Sequence, residues 1–309
     1  MPRLEAAIRG ETRWSIEYIT LFWESTRGYA AYLAREVTQP GWHNYFYALI
    51  GISLAVYGFE LLAPWRSDQK RLRRDFWLDG FYMFFNFFLF SLIGYAALSN
   101  VCVRAFNDLL ASFGVRNLVA IRVSSLPTWS QLLLLFVLRD FVHWNVHRLL
   151  HRVSFLWEFH KVHHSVLEMG FAAHLRFHWM ETVVYRTLEY IPLAMIGFGI
   201  DDFIIVHLTA LTIGHLNHAN VVLPLGPLRY VFNNPQMHIW HHMRHFPKER
   251  RYGLNYGLSL SLWDYLFGTA YVPRDGRDLE LGFPGVEKFP TTFVAQVTHG
   301  VARRRRAHA

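Results

Sequence analysis

The chain has 309 residues, of which 52% are hydrophobic, 17% aromatic and only 17% charged, with a formal charge of +8. So little charge is unusual for a soluble protein of this size, and the long apolar runs described below place the chain among membrane proteins. The single cysteine, Cys102, excludes intrachain disulfides, zinc ribbons and cysteine-ligated iron–sulfur clusters.

Residues 1–42 mix Arg and Glu with Trp14, Tyr18, Phe22, Trp23, Tyr29 and Tyr32. They show no basic stretch followed by an apolar run and a small-residue cleavage site, so no signal peptide is expected. Their apolar residues recur at helical spacing, which suits an amphipathic helix at a membrane interface or one packed on the rest of the chain. Spans are expected at Tyr45–Pro64, where Glu60 is the one charge, and at Phe76–Val101. The basic loop between them, Arg66 to Arg74, belongs in the cytoplasm by the positive-inside rule. Its charge and that of the tail, Arg303 to Arg306, would also favour anionic head groups, whereas flanking spans argue against nucleic acid as a partner. Phe84, Phe85, Phe87, Phe88 and Phe90 offer either the lining of a lipid channel or a packed, lipid-facing stripe.

Residues 102–128 are mixed, with a short helix and a break at Pro127. A third span starts near Gln131 and runs towards His147, and an apolar pair follows at Val183–Ile200 and Phe203–Leu216. The aspartates at Gly199-Ile200-Asp201-Asp202 read as the turn of a hairpin between them. With this topology His147, His151, His215 and His218 all face the cytoplasm. No internal repeat or domain boundary is evident. The expected architecture is all-α: a membrane bundle of four to five spans or half-spans over residues 1–309, with a cytosolic helical cap.

The histidines dominate the second half. Of the 18, 15 lie between His143 and His245. Three boxes stand out: His147-x-x-x-His151, His160-x-x-His163-His164 and His238-x-x-His241-His242. On a helix, residues three and four apart share a face, so each box aims imidazoles in a common direction. Imidazole suits iron, zinc and copper, and eight of them exceed the needs of one tetrahedral zinc. Two metals sharing them is the simpler count. Isolated histidines (His43, His207, His299, His308) read as interfacial polar residues.

These motifs resemble the fatty acid hydroxylase and sterol desaturase superfamily of membrane di-iron oxygenases. Asp140-Phe-Val-His-Trp-Asn-Val-His-Arg-Leu-Leu-His151 is similar to its acidic helix leading into H-R-x-x-H. Phe155-Leu-Trp-Glu-Phe-His-Lys-Val-His-His-Ser165 is similar to its W-x-F-H-x-x-H-H-S stretch. Arg176-Phe-His-Trp-Met-Glu181 resembles its R-x-H-P-x-E/D segment, with Trp179 in place of proline. His218-Ala-Asn220 resembles its isolated ligand. Asn255-Tyr-Gly257 with Trp263-Asp-Tyr-Leu-Phe-Gly-Thr269 resembles its closing signature. The likeness covers roughly residues 130–270, leaving 271–309 as a basic tail.

The resemblance implies nine metal ligands, His147, His151, His160, His163, His164, His218, His238, His241 and His242, with His215 a weaker tenth. Asp140 is the expected orienter of His143 and His147, with Glu181, Asp264 and His178 also behind the ligands. His143, His174 and His245 are left to supporting or substrate-contact roles. The implied cofactors are two iron ions with dioxygen as cosubstrate. The implied reaction is hydroxylation, or desaturation, of a lipid at the cytoplasmic face of the cell inner membrane. No haem-binding or cysteine-cluster motif is present, so electrons are expected from a separate donor protein. A zinc-dependent membrane hydrolase or isomerase and a non-enzymatic metal-binding or transport protein are the readings from other classes.

Overall fold

A computed structural model describes residues 2–41, 44–86, 88, 99–114, 123–195 and 200–300. Among these the chain is helical, without a strand; two isolated bridges, Phe232 to Leu260 and Met243 to Leu281, are its only β-pairing. Helix α1 (Pro2–Thr38) packs against α2 (Tyr45–Leu62) and, further along the chain, α4 (Ser99–Ser112), where the Tyr18 hydroxyl donates to Asp108 at 2.8 Å. Leu33 of α1 is buried with Leu49, Met83 and Leu211, so the packed reading of the N-terminal segment holds for that end of the helix.

Among the described residues one helix, α2, is long and apolar enough to cross a membrane, with a mean hydropathy of 1.6 over 18 residues. Glu60 in its last turn is buried and accepts the backbone N–H groups of Asn220 (3.0 Å) and Phe171 (3.3 Å), tying α2 to the histidine region. The second expected span begins as α3 (Phe76–Phe85), and most of its remainder lies outside the described residues.

The basic loop between α2 and α3 has a more specific role than its composition suggests. Arg66 donates to Asn220 Oδ1 and to the Met169 carbonyl, Arg73 pairs with buried Asp79, and Arg176 bonds both Asp75 and Asp79 at 3.2 Å. Two of the loop's five cations, Arg66 and Arg73, are thereby pinned, while Lys70, Arg71 and Arg74 remain exposed.

Pro127 immediately precedes α5 (Thr128–Arg152), which carries an apolar run and then Arg139, Asp140 and the first histidine box on one helix. A single extended residue, Val153, breaks it from α6 (Ser154–His164), so the first and second boxes sit on consecutive helices at an angle. Helix α7 (Trp179–Met195) packs on α5. Helix α8 (Ile200–His218) starts earlier than expected. Ile200, Asp201 and Asp202 form its first turn rather than a hairpin, in keeping with the preference of acidic residues for helix N-termini, and Gly199 lies outside the described residues. Gly214 of α8 lets the 171–175 turn approach closely. A Cβ there would stand 2.2 Å from the His174 ring.

Asn234 caps the short α9 (Pro235–His241), accepting the Met237 N–H at 3.0 Å, with Pro235 at the first helical position. Asn255 adopts a left-handed φ of 51° and uses its side chain to bond the Met237 and Tyr271 carbonyls and the Tyr271 N–H. This fixes the 255–262 loop against α9. The chain closes with α10 (Leu262–Leu266) and α11 (Phe293–Val297).

Candidate metal centre

The nine histidines expected as ligands come together from α5, α6, α8 and α9 in two buried groups. His147, His151, His160, His164 and His241 form one; His163, His218, His238 and His242 form the other. Within each, one ring nitrogen per residue lies within 4.8 Å of all the others. The grouping does not follow the boxes. The i, i+4 pairs 147/151, 160/164 and 238/242 stay together, whereas His163 and His241 cross to the opposite group from their neighbours. Adjacent residues on a helix point about 100° apart, so a three-histidine box cannot aim all its rings at one point. It serves two.

Hydrogen bonding fixes which ring nitrogen faces inward. His147 Nδ1 is 2.8 Å from the Tyr256 carbonyl, His241 Nδ1 2.7 Å from that of Leu254, and His218 Nδ1 2.7 Å from that of Gly214. Carbonyls only accept, so each Nδ1 carries the hydrogen and each Nε2 presents a lone pair. His160 Nδ1 lies 2.6 Å from Glu181 Oε2, which accepts its hydrogen when the carboxylate is ionised. Ring nitrogens are then pressed together: His147 and His160 Nε2 at 3.1 Å, His218 and His238 at 3.1 Å, His238 and His242 at 3.2 Å, His163 and His218 at 3.4 Å. His151, His164 and His241 Nε2 are buried without a hydrogen-bond partner.

Where both nitrogens present lone pairs, such crowding is unfavourable unless a cation sits between them; otherwise one ring must donate its N–H to the next. With metal–nitrogen bonds of about 2.1 Å, ligands at right angles stand about 3.0 Å apart and tetrahedral ligands about 3.4 Å. The observed spacings fall in that interval, so both groups fit a metal ion. Burial, reinforced by neighbouring imidazoles, holds His160, His163, His164, His238 and His242 well below the usual imidazole pKa, and burial brings His241 down to about 4. The rings are therefore neutral at pH 7, as ligands must be.

The residues behind the ligands differ from the sequence expectation in their order of importance. Glu181 touches a ligand directly, and burial pushes its carboxyl up to about 8. Asp140 touches none of the nine. It accepts the backbone N–H groups of Ser259 (2.9 Å) and Leu260 (3.2 Å) and the Trp263 indole (3.0 Å). Asp264 accepts the N–H groups of Tyr256 (2.9 Å) and Gly257 (2.7 Å) and the Trp144 indole (2.9 Å). Both aspartates brace the loop whose Tyr256 carbonyl orients His147, one step further back than expected. His178 has a packing role, with Nε2 2.8 Å from the Val297 carbonyl and Nδ1 accepting the Met180 N–H. His215 lies outside both groups, between Ser53 (3.2 Å) and His174 (3.0 Å), and His245 is exposed.

A cavity of about 140 Å³ reaches the centre, where His147, His160, His163, His218 and His238 form part of its wall. Leu49, Met83, Leu175, Phe177 and Leu211 make it largely apolar. Of the five phenylalanines considered for a channel, the three among the described residues do not line it: Phe85 packs on Phe293, Phe88 on Phe46, and Phe84 is part-exposed; Phe87 and Phe90 lie outside the described residues. His207, read from sequence as interfacial, lines the cavity instead, 2.9 Å from the Tyr45 hydroxyl. Arg139, Tyr185 and Glu189 also line it and were missed. For Arg139 and Glu189 a signal was available, since a charge inside an apolar run rarely lacks a function; Tyr185 offered none.

Residues 132–269 match the family model for fatty acid hydroxylases. This stretch is similar to a fatty acid hydroxylase domain. It spans all nine candidate ligands and both bracing aspartates, and the superfamily resemblance drawn from the boxes is borne out. The chain is 33% identical over 180 residues to the ornithine lipid hydroxylase OlsE of Rhizobium tropici, covering 58% of this chain and 53% of that protein. It is 34% identical over 134 residues to the alkylglycerol monooxygenase of Homo sapiens (42% and 28% of the two chains). It is 29% identical over 140 residues to methylsterol monooxygenase 1 of Rattus norvegicus (43% and 44%). The aligned part of the chain thus spans about half the length of the first relative and less than half of the others. No solved structure matches the chain.

Proposed function

We propose that this chain is a membrane-bound di-iron oxygenase that hydroxylates a C–H bond of a lipid, using dioxygen and electrons from a separate donor protein. One observation carries the reading: nine buried imidazoles bring their ring nitrogens together in two adjacent groups beside an apolar cavity. His147, His151, His160, His164 and His241 would hold one iron, and His163, His218, His238 and His242 the other. Five imidazoles in one group exceed what tetrahedral zinc takes. A pair of irons in imidazole cages supplies the redox chemistry with dioxygen that an unactivated C–H bond requires.

The protein's own contributions are positional. The Tyr256, Leu254 and Gly214 carbonyls hold the Nδ1 hydrogens of His147, His241 and His218, and Glu181 holds that of His160, which fixes ring orientation and tautomer. Burial of every ligand keeps water from the reacting centre, and the apolar cavity wall receives the hydrocarbon part of the substrate. The names of the relatives, all acting on lipids, support this substrate class. The same proposal makes residues 1–309 one membrane unit of four to five spans, with the metal centre and C-terminus on the cytoplasmic side of the cell inner membrane; the apolar α2 supports it.

Lipid extracts from cells with and without the protein, beside a His163→Ala control, test the reaction. A lipid gaining one oxygen is the expected result. Loss of two hydrogens would assign desaturation to the same centre. Zinc in the purified protein with no oxygen consumption would replace the oxygenase with a hydrolase or isomerase.

A further inference from the structure

The candidate centre has two sides. His147, His160, His163, His218 and His238 line the cavity, whereas His151, His164, His241 and His242 do not. Away from the cavity, the segment 252–256 runs along the five-histidine group. The carbonyls of Tyr252, Leu254 and Tyr256, at alternate residues, accept hydrogens from His151, His241 and His147. Gly253 lets this segment press on the centre: its φ is 120°, and a Cβ there would stand 3.0 Å from His151 Nδ1. The segment reaches the surface at once, because Tyr252 is 44% exposed. A single hydrogen bond thus joins a surface residue to a candidate ligand.

The surface over this segment is cationic. Residues 145–153, at the end of α5, and 247–253 together carry Arg148, Arg152, Lys248, Arg250 and Arg251 against one carboxylate, Glu249. Arg148, Arg152 and Arg250 all lie close enough to Tyr256 to act on its phenol, so they gather in one place. Arg148 stacks over Trp144, with its guanidinium 4.4 Å from the ring centroid. Arg250 donates to the Gly268 carbonyl at 3.1 Å, and Arg251 to the Tyr252 hydroxyl at 2.8 Å. The buried Asp264 acts on Arg148, but its oxygens already accept from Trp144, Tyr256, Gly257 and Thr269. Among the described residues no carboxylate forms an ion pair with any of the five. With Glu249 and Asp264 both counted, cations still outnumber carboxylates. Like charges gathered in this way repel one another, and a carboxylate-rich surface brought from outside complements them.

We infer that this face, formed by the end of α5 and the 247–253 loop, is where the electron donor docks, and that the donor is a small acidic one-electron carrier protein. The inference rests on the oxygenase reading above. Inserting one atom of dioxygen into a C–H bond and releasing the other as water consumes two electrons and two protons. Two dockings therefore serve each turnover, and each oxidises the carrier by one electron. Electron tunnelling weakens steeply with distance, and the contact of Tyr252 with His151 gives a short route from the side away from the cavity. An anionic membrane also attracts cations, yet α5 sets these beyond its reach. Arg148 and Arg152 follow Leu138, the end of the apolar run, by ten and fourteen residues. That places them about 15 and 21 Å further along the helix axis. A membrane's surface potential fades within a Debye length, about 8–10 Å.

The test uses the full chain, iron-loaded, in phosphatidylcholine nanodiscs, with two acidic carriers as probes: a plant-type [2Fe–2S] ferredoxin and a flavodoxin. Stopped-flow spectroscopy follows electron transfer from each reduced carrier to the protein's iron, and an uncharged photoreductant, deazariboflavin, gives the reference rate. In the wild type at least one carrier should react with a second-order rate constant that falls about tenfold or more between about 20 and 200 mM salt. Arg152→Glu/Arg251→Glu should lower the ratio of carrier rate to reference rate about tenfold or more at low salt and flatten its salt dependence, with iron content and Tm retained. Lys70→Glu/Arg71→Glu makes the same change of charge on the 66–74 loop and should alter the ratio less than about twofold.

Equal slowing by both variants, an unchanged ratio in Arg152→Glu/Arg251→Glu, or a wild type that deazariboflavin reduces and neither carrier does would each overturn the inference. None of these touches the oxygenase reading. Unchanged carrier kinetics with fewer phosphatidylglycerol molecules retained in native mass spectrometry would reassign the face to anionic lipid. If photoreduced, iron-loaded protein given dioxygen oxidises nothing in a total membrane lipid extract, the oxygenase reading falls and the inference with it.

Discussion

Glu181→Gln isolates one carboxylate whose behaviour should reverse on metal loading. In the metal-free protein, burial raises the Glu181 pKa from 4.5 to about 8. The folded chain therefore keeps a proton that the unfolded chain has released, and stability falls as pH rises through this window. The buried histidines act in the opposite sense. His241, brought down to about 4, must gain a proton on unfolding below 6.5, so its contribution to stability rises with pH. Unfolded imidazoles are still half-protonated at pH 6.5, so the histidine contribution goes on rising above it and the Glu181 effect is read as the difference between wild type and Glu181→Gln. Over the 1.5 units from pH 6.5 to 8, at about 1.4 kcal/mol each, the metal-free wild type should lose about 2 kcal/mol relative to the variant. Glu181→Gln still accepts the His160 hydrogen but does not titrate, so it should show no such decline. With iron bound, the nearby positive charge favours the carboxylate, and the wild type should also hold its stability from pH 6.5 to 8. There the variant should instead bind iron about 10- to 100-fold more weakly. Denaturant unfolding of stripped and loaded protein across this range, with an iron titration, measures both. Parallel curves for metal-free wild type and variant between pH 6.5 and 8 would refute the argument.

Three further perturbations probe the same construction. His241→Ala and His242→Ala remove neighbouring residues from different groups, so each should lower iron content by about half, and metal analysis with spectroscopy should show a different iron missing in each. Asp140→Asn places an amide N–H against one of three buried donors and should cost about 2–4 kcal/mol in chemical denaturation; an unchanged midpoint would remove the aspartate from the bracing of the 255–262 loop. Gly214→Ala would drive a methyl group into the His174 ring and should cost about 1–3 kcal/mol, read as a lower Tm.

The grouping of the nine histidines was legible from sequence because imidazoles clustered at helical spacing have few other uses, and the superfamily resemblance extended the set to the isolated His218. What lay beyond reach depended on segments distant in the chain. Asp140 is one helical turn from His143, and local spacing made it the natural orienter. Its partners are instead Ser259, Leu260 and Trp263, over a hundred residues away. Composition marked the 66–74 loop as basic and exposed, whereas Arg66 and Arg73 are committed to Met169, Asn220 and Asp79. Phe85 belonged to an aromatic stripe, but its neighbour is Phe293. Arg139 and Glu189 are a different case. Each stood as a visible charge within an apolar run, and only the antiparallel packing of α5 on α7 reveals that they answer one another.

The split of the two H-x-x-H-H boxes explains why the centre needs so many elements to close. Helix α6 sends His160 and His164 to one group and His163 to the other, and the α9 segment sends His241 one way and His238 and His242 the other. Both groups therefore share their supports, and neither can be assembled without α6 and α9 already in place against each other. The second contributors are distinct, α5 for the five-histidine group and α8 for the four-histidine group. These two helices also supply walls of the cavity, through Arg139 and His143 on one and His207, Ala210 and Leu211 on the other. The spacing of the imidazole groups and the shape of the cavity thus follow from the same packing of α5 and α8 around the shared α6–α9 pair. Any change that loosens one should be felt in the other.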